Sequence, residues 1–538
     1  MKAVQVAGWA AIAAWVVFVY SPSFTPHLMG DAESFFQPSE FTLEAVSDAF
    51  LRPYWGSGSE YRPAALLLFQ YLADFDLRFV KLACVLVHLL VAWMTWVVAR
   101  VVIEGRMAST AAVLVAIHPL ASEAVMSLVG LLDMLVTLAV LTVIWLAMKK
   151  RRGHRLLVFS LCFATPWLKE SAVVLPAVAW FASWYGTFFK RIDWKMLGGA
   201  LAGFVLYVLV REWTVPLRLG QPITQELMVQ NPILMQGPLG RFATALAVLG
   251  KSVQLLVWPY PLSSTYYFNQ FPIVTDGRDP RLWWGLFVFL GLCAWSMFAI
   301  KQRRWFDLFL LSCGAVIYAP TSHFVLTIYT ILGERLLYPL LPFLALLVSR
   351  YLCLLPKKWL PVILASVIFL GGVVVLRRAP DWADKQAHLM AARKSAPQSV
   401  QTKVNWARFM LASGKPMRAI AGLEEAEQLA PWYAVPRILH ARILASLDRA
   451  DEAESVLLGV KPDNRTGLWH EALVEMRIRQ DLHPQTRACT EFDPSSVDLA
   501  IYVLVDPTDP DRWAWIECMR DEDLIWIMSE LAAQDVSR

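Results

Sequence analysis

Charged residues are scarce in this chain: Asp, Glu, Lys and Arg make up 17% of its 538 residues, against 57% hydrophobic. That balance excludes an ordinary soluble protein, because the apolar residues fall in blocks long enough to cross a bilayer. The net charge of +5 does not point to nucleic acid, since Lys and Arg gather in short runs between apolar blocks, as in cytoplasmic loops. Signs of a cleavable leader are missing too. Only Lys2 precedes the first apolar run, and no small-residue cleavage site follows before Ser21-Pro22, so that run is expected to remain as the first helix. Glycine and proline are too irregularly spaced for a low-complexity tract. No pair of Gly- or Pro-broken helices recurs in two halves, which removes the usual mark of a transporter. Cysteine is sparse, and five of the seven (Cys84, Cys162, Cys293, Cys313 and Cys353) lie in apolar blocks, where a thiol packs as a small apolar group. Cys489 and Cys518 lie in a polar tail and are candidates for a disulfide if that tail faces an oxidising compartment.

What is present is an all-α pattern. Membrane helices are expected near 4–20, 79–100, 110–127, 129–148, 156–168, 171–189, 196–213, 281–300, 305–320, 336–354 and 359–376. The basic runs Lys149-Lys150-Arg151-Arg152, Lys190-Arg191, Lys301 with Arg303 and Arg304, and Lys357-Lys358 are assigned to the cytoplasmic side. The block 241–258 carries Arg241, Lys251, Ser252 and Gln254 and is expected not to cross, since each charge buried in a bilayer costs roughly 2.5–3.5 kcal/mol. The remaining eleven crossings place the N-terminus inside and everything after Arg377 outside. The membrane domain is thus read as 1–378, with 21–78 as its first outer loop.

The tail carries a repeat. Ala407, Ala419 and Leu423 recur as Ala441, Ala453 and Leu457, each 34 residues on, which is the period of the tetratricopeptide helix pair. Helical repeats are therefore expected over 379–490, with the third unit degenerate, and a helical cap over 491–538.

Ionisable residues gather at the expected outer helix ends. Asp31 and Glu33 follow the first helix; the others are His118-Pro119 with Glu123, Gly130 followed by Asp133, Lys169-Glu170, and Glu334-Arg335 before Tyr338-Pro339. Charges at such positions are costly unless they pair or face a wet cavity, so their convergence on one side suggests a site. Any single cluster is equally an interface anchor or ion pair.

Together with Tyr54-Trp55, Tyr61-Arg62-Pro63, His88 and Asn231-Pro232, these residues occur in an order that resembles the transmembrane and tetratricopeptide-repeat O-mannosyltransferase family, within the GT-C superfamily of glycosyltransferases using lipid-phosphate sugars. Two departures stand out: Asp31-Ala32-Glu33 replaces adjacent acids, and Leu131 stands where the family has Arg. The resemblance implies a membrane enzyme that moves a sugar from a polyprenyl-phosphate lipid to a hydroxyl on the periplasmic side of a bacterial inner membrane. The acceptor is then a periplasmic protein Ser or Thr, held in part by the repeats, or lipopolysaccharide or another glycolipid; nucleic acid is not an expected partner. In such a reaction a carboxylate takes the acceptor proton while cations stabilise the departing phosphate. Asp31 is the candidate base, with Glu33 as its partner or a metal ligand; Arg62, Lys169, Arg241 and Arg335 are candidate phosphate-binding cations. His118, Glu123, Asp133, Glu170 and Glu334 are expected to shape the site, and His88 to bond between helices. The carboxylates suit Mg or Mn, though no metal-ligand motif is recognisable. The competing class is a non-catalytic membrane-anchored scaffold, which has no need of Asp31 and Glu33 beside a lipid-facing cleft.

Overall fold

The computed structural model describes residues 3–36, 42–55, 60–102, 105–149, 153–186, 192–216, 224–356, 358–465, 468–469 and 472–473. Among them every regular element is helical. The chain divides into two units, Met1–Pro397 and Gln398–Arg538.

Among the described residues of the first unit, seven helices are long and apolar enough to cross a membrane: Leu77–Val102, Leu128–Lys149, Trp194–Thr214, Pro238–Val257, Pro280–Lys301, Glu334–Leu352 and Leu360–Trp382. Leu128–Lys149 is the most enclosed and forms the centre. Pro280–Lys301 and Leu360–Trp382 are largely uncovered, with Trp283, Phe287, Leu290, Phe369 and Leu370 pointing away from the core. Apolar surface on this scale is what a lipid environment covers.

Six of these helices coincide with expected spans. The seventh, Pro238–Val257, is the block kept out of the crossing count. The difference has a physical reason. Arg241 lies in the first turn, and its Nε and Nη2 donate to the Gln236 and Leu234 carbonyls at 2.7 and 3.2 Å, at the helix start rather than its middle. Arg241 therefore does not count against the helix interior, whereas Lys251 lies in mid-helix with its Nζ 3.4 Å from Gln254 Oε1.

Other expected spans are shorter or broken. Residues 110–127 form Gly105–Ile117 and the separate helix Ala121–Met126, interrupted at His118-Pro119. The block 156–168 becomes His154–Ala164 and a 3-10 turn through Pro166, and 171–189 becomes a 3-10 turn followed by Leu175–Tyr185. Proline removes a backbone donor and disfavours helix at the residue before it, so the chain breaks where the polar clusters lie.

Close packing fixes the bundle. A Cβ on Gly203 would run into the Phe159 carbonyl of the neighbouring His154–Ala164 helix, whereas one on Gly198 meets nothing within 4 Å. Small residues admit such approaches where lipid gives no hydrophobic drive to helix association. Gly203→Ala is expected to destabilise by about 1–3 kcal/mol, while Gly198→Ala is neutral or slightly stabilising; thermal unfolding of the two purified variants in detergent checks this.

The segment 379–397, grouped with the repeats on sequence grounds, belongs to the first unit. Ser395 Oγ lies 2.9 Å from Ser263 Oγ, Gln270 Nε2 donates to the Ser395 carbonyl at 3.1 Å, and Lys385 pairs with Glu33.

The second unit opens with the helices Val400–Ala412 and Pro416–Leu429, then Ala434–Ser446 and Ala450–Leu458, so both helices of the second pair start 34 residues after their counterparts. All six recurring residues, Ala407, Ala419, Leu423, Ala441, Ala453 and Leu457, are buried. The turns also match: Gly414 has φ +70° and Asp448, its counterpart, φ +58°. Asp448 adopts a left-handed conformation that glycine tolerates at less cost, so Asp448→Gly is expected to stabilise the full-length protein by roughly 0.5–1 kcal/mol; a rise in the unfolding midpoint is the readout. The expected third repeat is described only at its start, where Trp469 Nε1 donates to the Leu457 carbonyl at 2.8 Å. The cap over 491–538, and both Cys489 and Cys518, lie outside the described residues.

Candidate functional site

The first loop leaves its helix and turns at Gly30, whose φ of +62° places the backbone in the left-handed region before the short helix Ala32–Phe35. Phe35 stacks on Tyr54 with ring centroids 4.2 Å apart, Phe36 packs on Phe69, and the Arg62 guanidinium lies 4.7 Å over the Tyr54 ring. The backbone N–H of Tyr54 donates to the Glu60 carbonyl at 2.8 Å, and the Tyr61 hydroxyl to the Phe50 carbonyl at 3.0 Å. Tyr54-Trp55 and Tyr61-Arg62-Pro63, separate in sequence, thus form one aromatic platform beside Asp31.

Arg335 crosses from the far end of the unit to meet this loop. Its Nη2 donates to Asp31 Oδ2 at 3.3 Å, its backbone N–H donates to Glu123 Oε2 at 3.1 Å, and its Nε lies 4.0 Å from Glu123 Oε1. Pro119 ends the preceding helix and lets Ala121–Met126 present Glu123 inward. Burial pushes the Glu123 carboxyl above the usual carboxylate range, while Arg335 pulls it back.

Two further pairs flank this centre. Lys169 Nζ donates to Asp133 Oδ1 at 2.6 Å, with both residues buried. Arg62 Nε donates to Glu170 Oε2 at 2.7 Å, and Glu170 Oε1 also accepts from the Tyr61 backbone N–H at 3.0 Å. Burial pulls the Lys169 ammonium below its ordinary range, with Asp133 opposing, and burial pushes the neighbouring Glu60 carboxyl up to about 7 against the pull of Arg62. Lys169 feels the charges of both Arg335 and Arg62, so these pairs share one electrostatic field.

Sequence-expected residues do not all join it. Glu33 turns to Lys385, whose Nζ donates to Oε2 at 2.7 Å, so Asp31 and Glu33 serve different cations. Glu334 is fully buried: Tyr266 Oη donates to its Oε1 at 2.9 Å, the Ser263 backbone N–H does so at 2.5 Å, and Arg378 Nη2 lies 2.8 Å from Oε2. No acid pairs with Arg241 among the described residues; its guanidinium is spent on its own helix start. His118 holds two segments together: Nε2 donates to the Leu256 carbonyl at 3.0 Å while Nδ1 accepts from Leu120 N–H at 3.3 Å, which requires the neutral ring. His88 joins the Tyr338 hydroxyl at 2.7 Å and the Ala116 carbonyl at 3.2 Å. Asn231 Oδ1 caps the Pro232 turn and its Nδ2 donates to the Ile328 carbonyl at 2.6 Å.

Among the described residues no three His, Cys, Asp or Glu side chains converge, and Asp31 and Glu33 each face a cation.

Sequence reasoning passed over Arg378, Lys385, Ser263 and Tyr266. Arg378 had left one trace: an arginine pair at an expected outer helix end, against the charge bias. No protein-family model matches the chain, and neither a curated protein nor a solved structure matches it.

Proposed function

We propose that the protein is an integral membrane glycosyltransferase that moves a sugar from a polyprenyl-phosphate carrier to a hydroxyl acceptor, with Asp31 as general base and Arg335 as the cation facing the phosphate. The observation that carries this reading is the meeting of Asp31 with Arg335, 304 positions apart in the chain, at the edge of a helical bundle with apolar flanks. A lipid-linked donor leaves its chain in the bilayer and offers its anomeric carbon at the surface, so chemistry at such an edge suits it. The carboxylate accepts the acceptor's proton as the hydroxyl oxygen attacks, and the bond to phosphate breaks with its electrons on the departing oxygen.

The Glu33–Lys385 pair sets the first loop and the connector 379–397 at the same end of the bundle, so both face the same side of a membrane. Taken with the cytoplasmic assignment of the basic runs, the side they share is read as the periplasm of a bacterial inner membrane. The stacked helix pairs of the second unit are read as tetratricopeptide repeats; surfaces of that kind suit an extended polypeptide, which favours a protein Ser or Thr over a glycolipid acceptor.

The test compares envelope glycoproteins and glycolipids, by intact-mass and glycopeptide mass spectrometry, between cells with the gene and cells lacking it. Loss of one glycan, with the bare acceptor accumulating, supports the transferase and identifies sugar and acceptor. An unchanged glycan profile alongside altered envelope-protein complexes would favour the scaffold instead.

A further inference from the structure

The cations of the site are not equally committed. Lys169 is locked on Asp133 at 2.6 Å with side chains 10% and 3% exposed, and Arg378 on Glu334 at 2.8 Å with 10% and 0%. Arg62 is held at 2.7 Å by Glu170 and lies over Tyr54. Arg335 is the exception: its contacts with Asp31 and Glu123 are the long ones, 3.3 and 4.0 Å, and its side chain and that of Asp31 are 25% and 40% exposed. A solvated, loosely aligned pair is weak, whereas a phosphate offers a guanidinium two oxygens in fork geometry and more charge. Close by, the Tyr54 hydroxyl is buried without a hydrogen-bond partner, although Tyr54 lies within the electrostatic reach of both Asp31 and Arg335. A buried hydroxyl needs a polar partner, supplied by a water or by a ligand group.

We infer that Asp31 and a phosphate ester compete for Arg335: the carboxylate holds the guanidinium while the site is empty and yields it to the phosphate when the donor enters, with the Tyr54 hydroxyl as second donor. This rests on the reading of the site as one for a lipid-phosphate sugar and adds an order of events. Glu123 stays on the Arg335 backbone N–H and keeps the residue in place during the exchange. Asp31, released from its cation, is free to meet the acceptor hydroxyl once the donor is seated. The carboxylate is thereby masked until there is something to react with.

The competition makes a counterintuitive prediction: removing the base's charge tightens binding of the phosphate. Full-length protein in lipid nanodiscs is titrated with undecaprenyl phosphate and, separately, with inorganic phosphate, following tryptophan fluorescence. Asp31→Asn is expected to lower Kd about fivefold or more for at least one probe, Arg335→Gln to raise it about tenfold or more, and Tyr54→Phe to raise it severalfold. Tightening with both probes assigns recognition to the phosphate anion alone; tightening with undecaprenyl phosphate only assigns it to the lipid headgroup. Unchanged or weaker binding by Asp31→Asn with both probes, or no binding of either by the wild type, overturns the proposal. Because Asp31 is partly exposed, its variant stays informative even if Arg335→Gln does not fold. The transferase reading fails separately: tightened binding with an unchanged cellular glycan profile leaves the phosphate site standing without the reaction.

Discussion

Asp31→Asn is expected to lower sugar transfer by roughly 10²–10⁴-fold, the range over which a positioned general base acts. The amide keeps the shape and can still contact solvent, but it cannot take a proton. Stability should barely move, because the lost pair with Arg335 is long and partly exposed, and such surface pairs are worth about 0–1 kcal/mol. Glu33→Gln gives the contrast. Its carboxylate is engaged by Lys385, away from Arg335, so a loss under about tenfold is expected if Asp31 alone is the base. Transfer to the bare acceptor in membranes carrying matched amounts of each variant separates the two. A collapse with Glu33→Gln and normal turnover with Asp31→Asn would reverse the assignment.

Arg378→Ala is expected to destabilise the first unit by about 3–5 kcal/mol, since breaking a buried ion pair from one side leaves the other charge uncompensated. Glu334 has no exposure to fall back on, and the Tyr266 hydroxyl and Ser263 N–H cannot supply the missing positive charge. The double variant Glu334→Gln with Arg378→Met should recover most of the loss, because it removes both charges from the interior. Denaturant unfolding in detergent reads both. The effect should reach the chemistry as well, since Glu334 precedes Arg335 in the chain and anchors the backbone that presents it. A single variant as stable as wild type would mean that water reaches the pair.

The apolar blocks were legible because hydrophobicity accumulates over twenty residues and survives local error; Leu77–Val102, Leu128–Lys149 and Pro280–Lys301 lie within a few residues of their expected positions. The repeat was legible for a related reason: Ala407 and Ala441, Ala419 and Ala453 need small side chains at equivalent contacts, and the same packing demand recurs at a fixed interval. Helix interruptions at Pro119 and Pro166 were written in single residues but overridden by the surrounding hydrophobicity. Pairing was the least legible. Nothing in the order of the chain says that Glu170 takes Arg62, that Lys169 takes Asp133, or that Glu334 takes Arg378 and leaves Arg335 to Asp31. Such choices are made by the folded bundle, between residues up to hundreds of positions apart.

The dividing line after Pro397 has a practical meaning for modularity. Thr25 Oγ1 donates to the Ala383 carbonyl and accepts from Lys81 Nζ, Glu33 takes Lys385, and Ser263 meets Ser395. A truncation after Arg378, where hydropathy ends, would remove the partners of Thr25, Glu33 and Ser263 on the connector and leave only the Lys81–Thr25 bond; one after Pro397 keeps them all. The portion of this protein that can be cut away while leaving these contacts of the first unit whole begins at Gln398.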